Sequence, residues 1–273
     1  MKQLALSALR ALGLIEVADR IRFALSRRRS VAGNREFIAA HPGLPLPPAH
    51  LSYDAYGHAD WNTYLESGSR HASFFAGLVR SHATLGRPVR ICEWGCGPAR
   101  IIRHLPTLLQ DLKPEISGSD YNPESIAWCK ASIPDVTFLL NNLEPPIPVQ
   151  DGAFSFVYCL SVFTHLSEPM HRAWMAELIR ILEPGGILVI TTHGDLFTGK
   201  LLAGERRLYA QGGLVVRDRA MEGKRCFTAF QPPAYVRGSL AKGLEERQYL
   251  GGDEQAGLQQ DIWVFRKPVS AAG

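Results

Sequence analysis

Val89-Arg90-Ile91-Cys92-Glu93-Trp94-Gly95-Cys96-Gly97-Pro98-Ala99-Arg100 reads as a short buried strand that ends in a carboxylate, turns tightly on glycines and starts a helix. That construction brings main chain and one acidic side chain up against a nucleotide-like ligand. The third glycine position separates the candidate ligands. A dinucleotide fingerprint, G-x-G-x-x-G, needs glycine at 100, where Arg100 stands. A side chain there obstructs close helix–strand packing and the approach of a pyrophosphate. A glutamate two residues before the first glycine suits a ligand with a positively charged end.

Downstream, strand-like runs recur between helical ones. Glu115–Asp120 predicts a second parallel strand, and Asp120 lies about 20 residues past the glycine loop, where a carboxylate takes two ribose hydroxyls. An ionised carboxylate only accepts hydrogen bonds, which matches a diol; a plain helix cap is the alternative. Asn122 reads as an N-cap and Pro123 as the first helical residue. A third strand, Val136–Leu140, ends at Asn141-Asn142-Leu143, and a fourth, Phe154–Leu160, runs into Ser161-Val162-Phe163-Thr164-His165-Leu166. Met170, Trp174, Leu178, Ile181 and Leu182 share one face at helical period, with Ser167 as cap and Gly185-Gly186 as stop. The fifth strand, Ile187–Thr192, delivers His193-Gly194-Asp195 to the carboxyl edge of the sheet. Histidine titrates near neutrality, so His193 is the candidate catalytic base for a hydroxyl acceptor. A strand-end histidine bonded to backbone is the other reading.

Glu93-x-Gly95-x-Gly97, with Ala99 in place of a third glycine, resembles motif I of the class I S-adenosylmethionine (SAM)-dependent methyltransferases. The wider Glu93–Arg100 stretch resembles the branch, of methyltransferase type 11/25 kind, that acts on small molecules and sugars. In motif order the resemblance covers roughly residues 64–267. It implies an α/β, three-layer Rossmann-like fold: a seven-stranded, mostly parallel sheet with helices on both faces and an antiparallel C-terminal strand. The implied cofactor, SAM, carries an α-ammonium and a sulfonium and no phosphate. Glu93, Trp94, Gly95, Gly97 and Arg100 would surround it, with Asp120 and Tyr121 at the ribose. Asn142 would meet the adenine amino group, with Asn141 as competitor and Leu143 against the ring. Leu160 and Ser161 would contact the methionine end, and His165 would wall the cofactor or act in catalysis. Tyr64…Ser67-Gly68 resembles the helix before motif I, which makes Tyr64, Gly68 and Arg70 a lid and Arg70 a partner for the SAM carboxylate. The fourth strand does not lead into Asn-Pro-Pro-Tyr or Asp-Pro-Pro-Tyr, which argues against amino-methylation of DNA bases. Gln231-Pro232-Pro233-Ala234-Tyr235 lies too far downstream and reads as a loop before a helix.

The chain has 273 residues, 46% hydrophobic and 21% charged, enough for one α/β domain with appended segments. Residues 1–60 read as a helical arm with a Pro-rich linker, 61–267 as the catalytic domain with a substrate-cover insertion at about 195–240, and 268–273 as a disordered tail. The arm suggests two short helices split near Gly13, the second closed by Arg27-Arg28-Arg29. That triplet is either a solvated helix end or a weak membrane-surface or acidic-substrate patch. No apolar run is long enough to span a membrane, and no cleavable signal is evident. Net charge +4 without basic–aromatic patches points away from nucleic acid. Five cysteines without a CxxC pair suit a reducing cytoplasm and no metal site. The expected activity is methyl transfer to a small hydroxylated acceptor. N-methylation of a small amine or amino sugar, or SAM binding without catalysis, are the alternatives.

Overall fold

The computed structural model of the chain describes residues 2–83, 88–252 and 257–269; residues 270–273 of the expected tail lie outside them. The strands in chain order are β1 Arg90–Trp94, β2 Glu115–Asp120, β3 Thr137–Leu140, β4 Phe154–Tyr158, β5 Leu182–Thr192, β6 Val215–Arg217, β7 Thr228–Phe230, β8 Glu245–Leu250 and β9 Asp261–Arg266. The helices are α1 Lys2–Ala11, α2 Ile15–Ala40, α3 Ala49–Tyr56, α4 Trp61–His82, α5 Leu105–Leu108, α6 Pro123–Ser132, α7 Glu168–Ile181, α8 Ala203–Ala210 and the single turn α9 Pro233–Tyr235.

Seven strands form one sheet in the order β3-β2-β1-β4-β5-β9-β8. β1 to β5 are mutually parallel, and β9 runs antiparallel to both β5 and β8. Strand order reverses between β1 and β4, and ligands bind outside the carboxyl ends of the strands at such a reversal. Side chains alternate faces along a strand, and the core divides accordingly. Ile91, Phe156, Val189 and Val264 meet α4 and α6 on one face. Cys92, Val157, Leu188 and Trp263 meet α7 on the other. This is the three-layer, seven-stranded arrangement expected from the sequence.

Local signals hold in part. Asn122 caps α6, its side chain accepting from the amides of Glu124 and Ser125. Ser167 occupies the N-cap of α7 without a side-chain capping bond. Gly185-Gly186 does not stop α7, which ends at Ile181; the glycines lie inside β5. Arg27-Arg28-Arg29 does not close a short helix either. It sits in the middle of the 26-residue α2, which runs on to Ala40 just before Pro42. The insertion after β5 contains α8 and a two-stranded ribbon, β6 with β7.

Candidate active site

The glycine turn after β1 is left-handed at Gly95 (φ +74°) and Gly97 (φ +51°), a conformation that costs an L side chain strain. A Cβ on Gly95 would also stand 2.4 Å from a methyl of Val162. The amides of Gly95 and Cys96 donate to the Ser119 carbonyl, and that of Gly97 donates to Asp120 Oδ2 at 2.8 Å. The Asn122 amide takes Asp120 Oδ1 at 2.8 Å, so both carboxylate oxygens are held in place.

Helix α4 packs directly on this turn. A Cβ on Gly68 would stand 2.1 Å from the Arg100 carbonyl oxygen, so only glycine admits the contact. The buried Tyr64 donates its hydroxyl to Pro98 O at 2.7 Å. From α3, the Tyr56 hydroxyl donates to Cys96 O and accepts from the Arg100 amide.

A cavity of about 560 Å³ opens beside the turn, within the range of small-ligand sites. The sequence-predicted Glu93, Trp94, Gly95, Gly97 and Arg100 line it from β1 and the turn. Asp120 and Tyr121 line it from β2, Asn142 and Leu143 from the loop after β3, and Leu160, Ser161 and His165 from the segment after β4. Four predicted residues stand elsewhere. Tyr64 and Gly68 brace the turn from behind, and Arg70 is exposed on α4. His193 borders a second cavity of about 440 Å³, with Arg22, Lys200, Thr228 and Phe230.

His193 is poorly suited to the base role at that position. Its Nδ1 is bonded to Ala229 O at 3.0 Å, and its ring packs on Phe197. Burial first, then the neighbouring His165, pull its pKa down to about 3. His165 instead borders both cavities, its Nδ1 bonded to Phe227 O at 2.8 Å. Burial also lowers its pKa.

The wall presents a carboxyl, a guanidinium and a second carboxyl in turn. Glu93 is fully enclosed; burial pushes its pKa up to about 8, against the Tyr158 hydroxyl that donates to it at 2.9 Å. Arg100 lies over the Tyr56 ring at 4.6 Å and donates to Ser67 Oγ and His71 Nδ1. No carboxylate forms an ion pair with Arg100 among the described residues, and its Nε–H is buried without a partner. His71 accepts from Arg100 at Nδ1, which puts its own proton on Nε2, also buried and unpartnered. Burial and Arg100 hold His71 neutral, at a pKa of about 3. Burial raises the Asp120 pKa as well. Asn141, buried beside the exposed Asn142, donates to the Asn142 carbonyl and leaves its Oδ1 unpartnered in the cavity wall.

A roof from two distant parts of the chain closes over this wall. The Tyr121 hydroxyl donates to Gly223 O, and the Gly223 amide to His165 O. Lys224 pairs with Asp54 of α3 at 2.7 Å, and Arg225 with Asp19 of α2 at 2.8 Å. Leu51, Asp54, Tyr56, His58, His71 and Arg225 thus belong to the cavity wall although none was predicted as a site residue. The one local signal was the Tyr53-Asp54-Ala55-Tyr56-Gly57 cluster, which carries no motif by itself.

Residues 91–186 match a family model described as a methyltransferase domain. A probable S-adenosylmethionine-dependent methyltransferase of Mycolicibacterium smegmatis is 29% identical over 123 residues, 45% of this chain and 44% of that protein. The match thus spans less than half of that relative's length. Among solved structures, a SAM-dependent methyltransferase from Methanosarcina mazei superposes with a TM-score of 0.52 at 16% identity, over 71% of this chain and 98% of that one. A Burkholderia thailandensis 1,6-didemethyltoxoflavin-N1-methyltransferase, solved with 1,6-didemethyltoxoflavin and S-adenosylhomocysteine bound, gives 0.52 at 14% identity, over 82% and 92%. Sheet order, glycine turn and family match agree: residues 91–186 are a methyltransferase domain, set in a chain with the fold of the S-adenosylmethionine-dependent methyltransferases.

Proposed function

We propose that the protein transfers a methyl group from SAM to the hydroxyl of a small acceptor, a sugar or related metabolite. The observation that carries this reading is the order of polar groups along one wall: the Glu93 carboxyl, the Arg100 guanidinium, the Asp120 carboxyl, then the Asn141-Asn142 pair. It matches an ammonium, a carboxylate, a diol and an adenine edge in turn. The two unpartnered donors, Arg100 Nε–H and His71 Nε2–H, fit the cofactor carboxylate, the role the sequence reading gave to Arg70. Asp120, fixed by two backbone amides, offers its remaining lone pairs to the ribose. Asn141 Oδ1 or Asn142 accepts from the adenine amino group, with Tyr121 and Leu143 at the ring. The Leu143 carbonyl is itself anchored by Trp174 Nε1 at 2.9 Å.

When bound, SAM supplies an electrophilic methyl on a sulfonium, and the protein contributes orientation. A hydroxyl acceptor must also lose a proton. With Nδ1 committed to Phe227 O, the His165 lone pair is on Nε2, on the wall common to both cavities. We place the base there in preference to His193. All five cysteines are free thiols, which suits the cytoplasm as the compartment.

Calorimetric titration with SAM, S-adenosylhomocysteine and NAD is the first test. Binding of both sulfur compounds and not of NAD supports the reading; the reverse pattern removes it. A screen of hydroxylated and amine acceptors by S-adenosylhomocysteine release then separates O- from N-methylation. On the active acceptor, His165→Gln lowers kcat about a hundredfold or more while His193→Gln does not. The opposite ranking returns the base to His193.

A further inference from the structure

We propose that the outer face of α2 is a docking surface for an anionic lipid bilayer. One side of the helix is fixed to the rest of the protein. Ile15 and Phe37 are buried, and the Phe23 ring lies 4.9 Å from that of Tyr53. Asp19 pairs with Arg225, and the Asn34 side chain bonds Ala59 O and the Trp61 amide. These positions share one face at 3.6 residues per turn. A solvated helix should be polar on the opposite face. Here that face carries Leu14, just ahead of the helix, then Val17, Ile21 and Leu25, spaced three, four and four, each 44–57% exposed. Seven of the twelve exposed large hydrophobic residues among those described fall within residues 12–38, so the apolar exposure is concentrated on this arm.

The charges around the stripe identify its occupant. Arg22 and Arg29 flank it on one side and Arg20 and Arg27 on the other, while Arg28 and Arg35 continue it. None of these six forms an ion pair among the described residues, and the Asp19 carboxylate is already taken by Arg225. An apolar stripe with an arginine rim matches acyl chains beneath anionic headgroups, because long basic side chains reach the headgroups while their stems stay apolar. A second copy docking through the same face would set arginines against arginines, since a two-fold interface pairs like with like. Arg22 also borders the second cavity, so a docked arm lies beside it.

The test is co-sedimentation of the full chain with vesicles of phosphatidylcholine, alone or mixed with phosphatidylglycerol. The expected result is binding to the mixed vesicles only, weakened by added salt. Neutralising three charges in Arg27→Gln/Arg28→Gln/Arg29→Gln weakens it about a hundredfold. Ile21→Asp/Leu25→Asp abolishes it, with unchanged S-adenosylhomocysteine titration showing that both variants are folded. Failure of the wild-type chain to bind mixed vesicles overturns the proposal without any variant, as does equal binding to neutral ones. A dimer in sedimentation velocity that Ile21→Asp dissociates, with vesicles left unbound, would assign the face to a second copy.

Discussion

Ala99 stands where related glycine turns carry a third glycine, and it pays for the exchange in backbone conformation: its φ is +56°. Left-handed backbone costs a residue with a Cβ about 1–2 kcal/mol, partly offset by the extra chain entropy that glycine loses on folding. Ala99→Gly is therefore expected to stabilise the protein by about 0.5–1 kcal/mol in urea denaturation. A loss instead would mean that packing of the buried methyl outweighs the strain. Glu93 supplies a second prediction at this scale. Its folded pKa is raised to about 8 from an ordinary 4.5. Below pH 4.5 both states hold the proton. Between 4.5 and 8 the unfolded chain releases it while the folded one retains it, so this contribution to stability falls as pH rises. Glu93→Gln stays neutral throughout. Its melting temperature relative to wild type, without ligand, should climb between pH 5 and pH 8, by an amount on the order of a few kcal/mol in stability. A constant difference would show Glu93 ionised in the folded state.

At the scale of elements, α4 is positioned by one missing side chain. Alanine at 68 improves helix propensity by about 1 kcal/mol, yet its Cβ meets a backbone oxygen at 2.1 Å, which neither partner can yield without moving the turn. Gly68→Ala should destabilise by about 1–3 kcal/mol and weaken S-adenosylhomocysteine binding together; denaturation and titration of one variant check both. The sheet was legible in the sequence because a parallel strand covered on both faces is a short, continuous apolar run: Ile187 to Ile190 is apolar throughout, and its residues divide between the two core faces. Helix ends were less so. α2 passes through Gly33 and three arginines because packing of Asn34 and Phe37 against the start of α4 holds the later turns. The site divides the same way. Residues of the β1, β2 and β4 ends follow from motif spacing, whereas His71 and Arg225 reach the cavity through contacts across 29 to 206 residues. His193 sits at the predicted strand end, but β7, from the insertion, captures its Nδ1 through Ala229 O.

For the molecule as a whole, a ligand that binds only the folded state stabilises it in proportion to saturation. S-adenosylhomocysteine at a hundred times its dissociation constant adds about 2.7 kcal/mol. At about 2–4 °C per kcal/mol for a chain near this size, the melting temperature should rise by roughly 5–10 °C, with no rise for NAD. The roof that encloses such a ligand also has a history in time. Asp19 and its partner Arg225 are separated by 206 residues. A ribosome adding about 5–20 residues per second leaves that carboxylate waiting roughly 10–40 s for its guanidinium. During that interval α2 has been made, but neither Gly223 nor Lys224 exists to span the groove. A nascent chain therefore meets its surroundings with the arm unclasped on both faces, and becomes able to retain a cofactor only once the segment holding Gly223, Lys224 and Arg225 has been made.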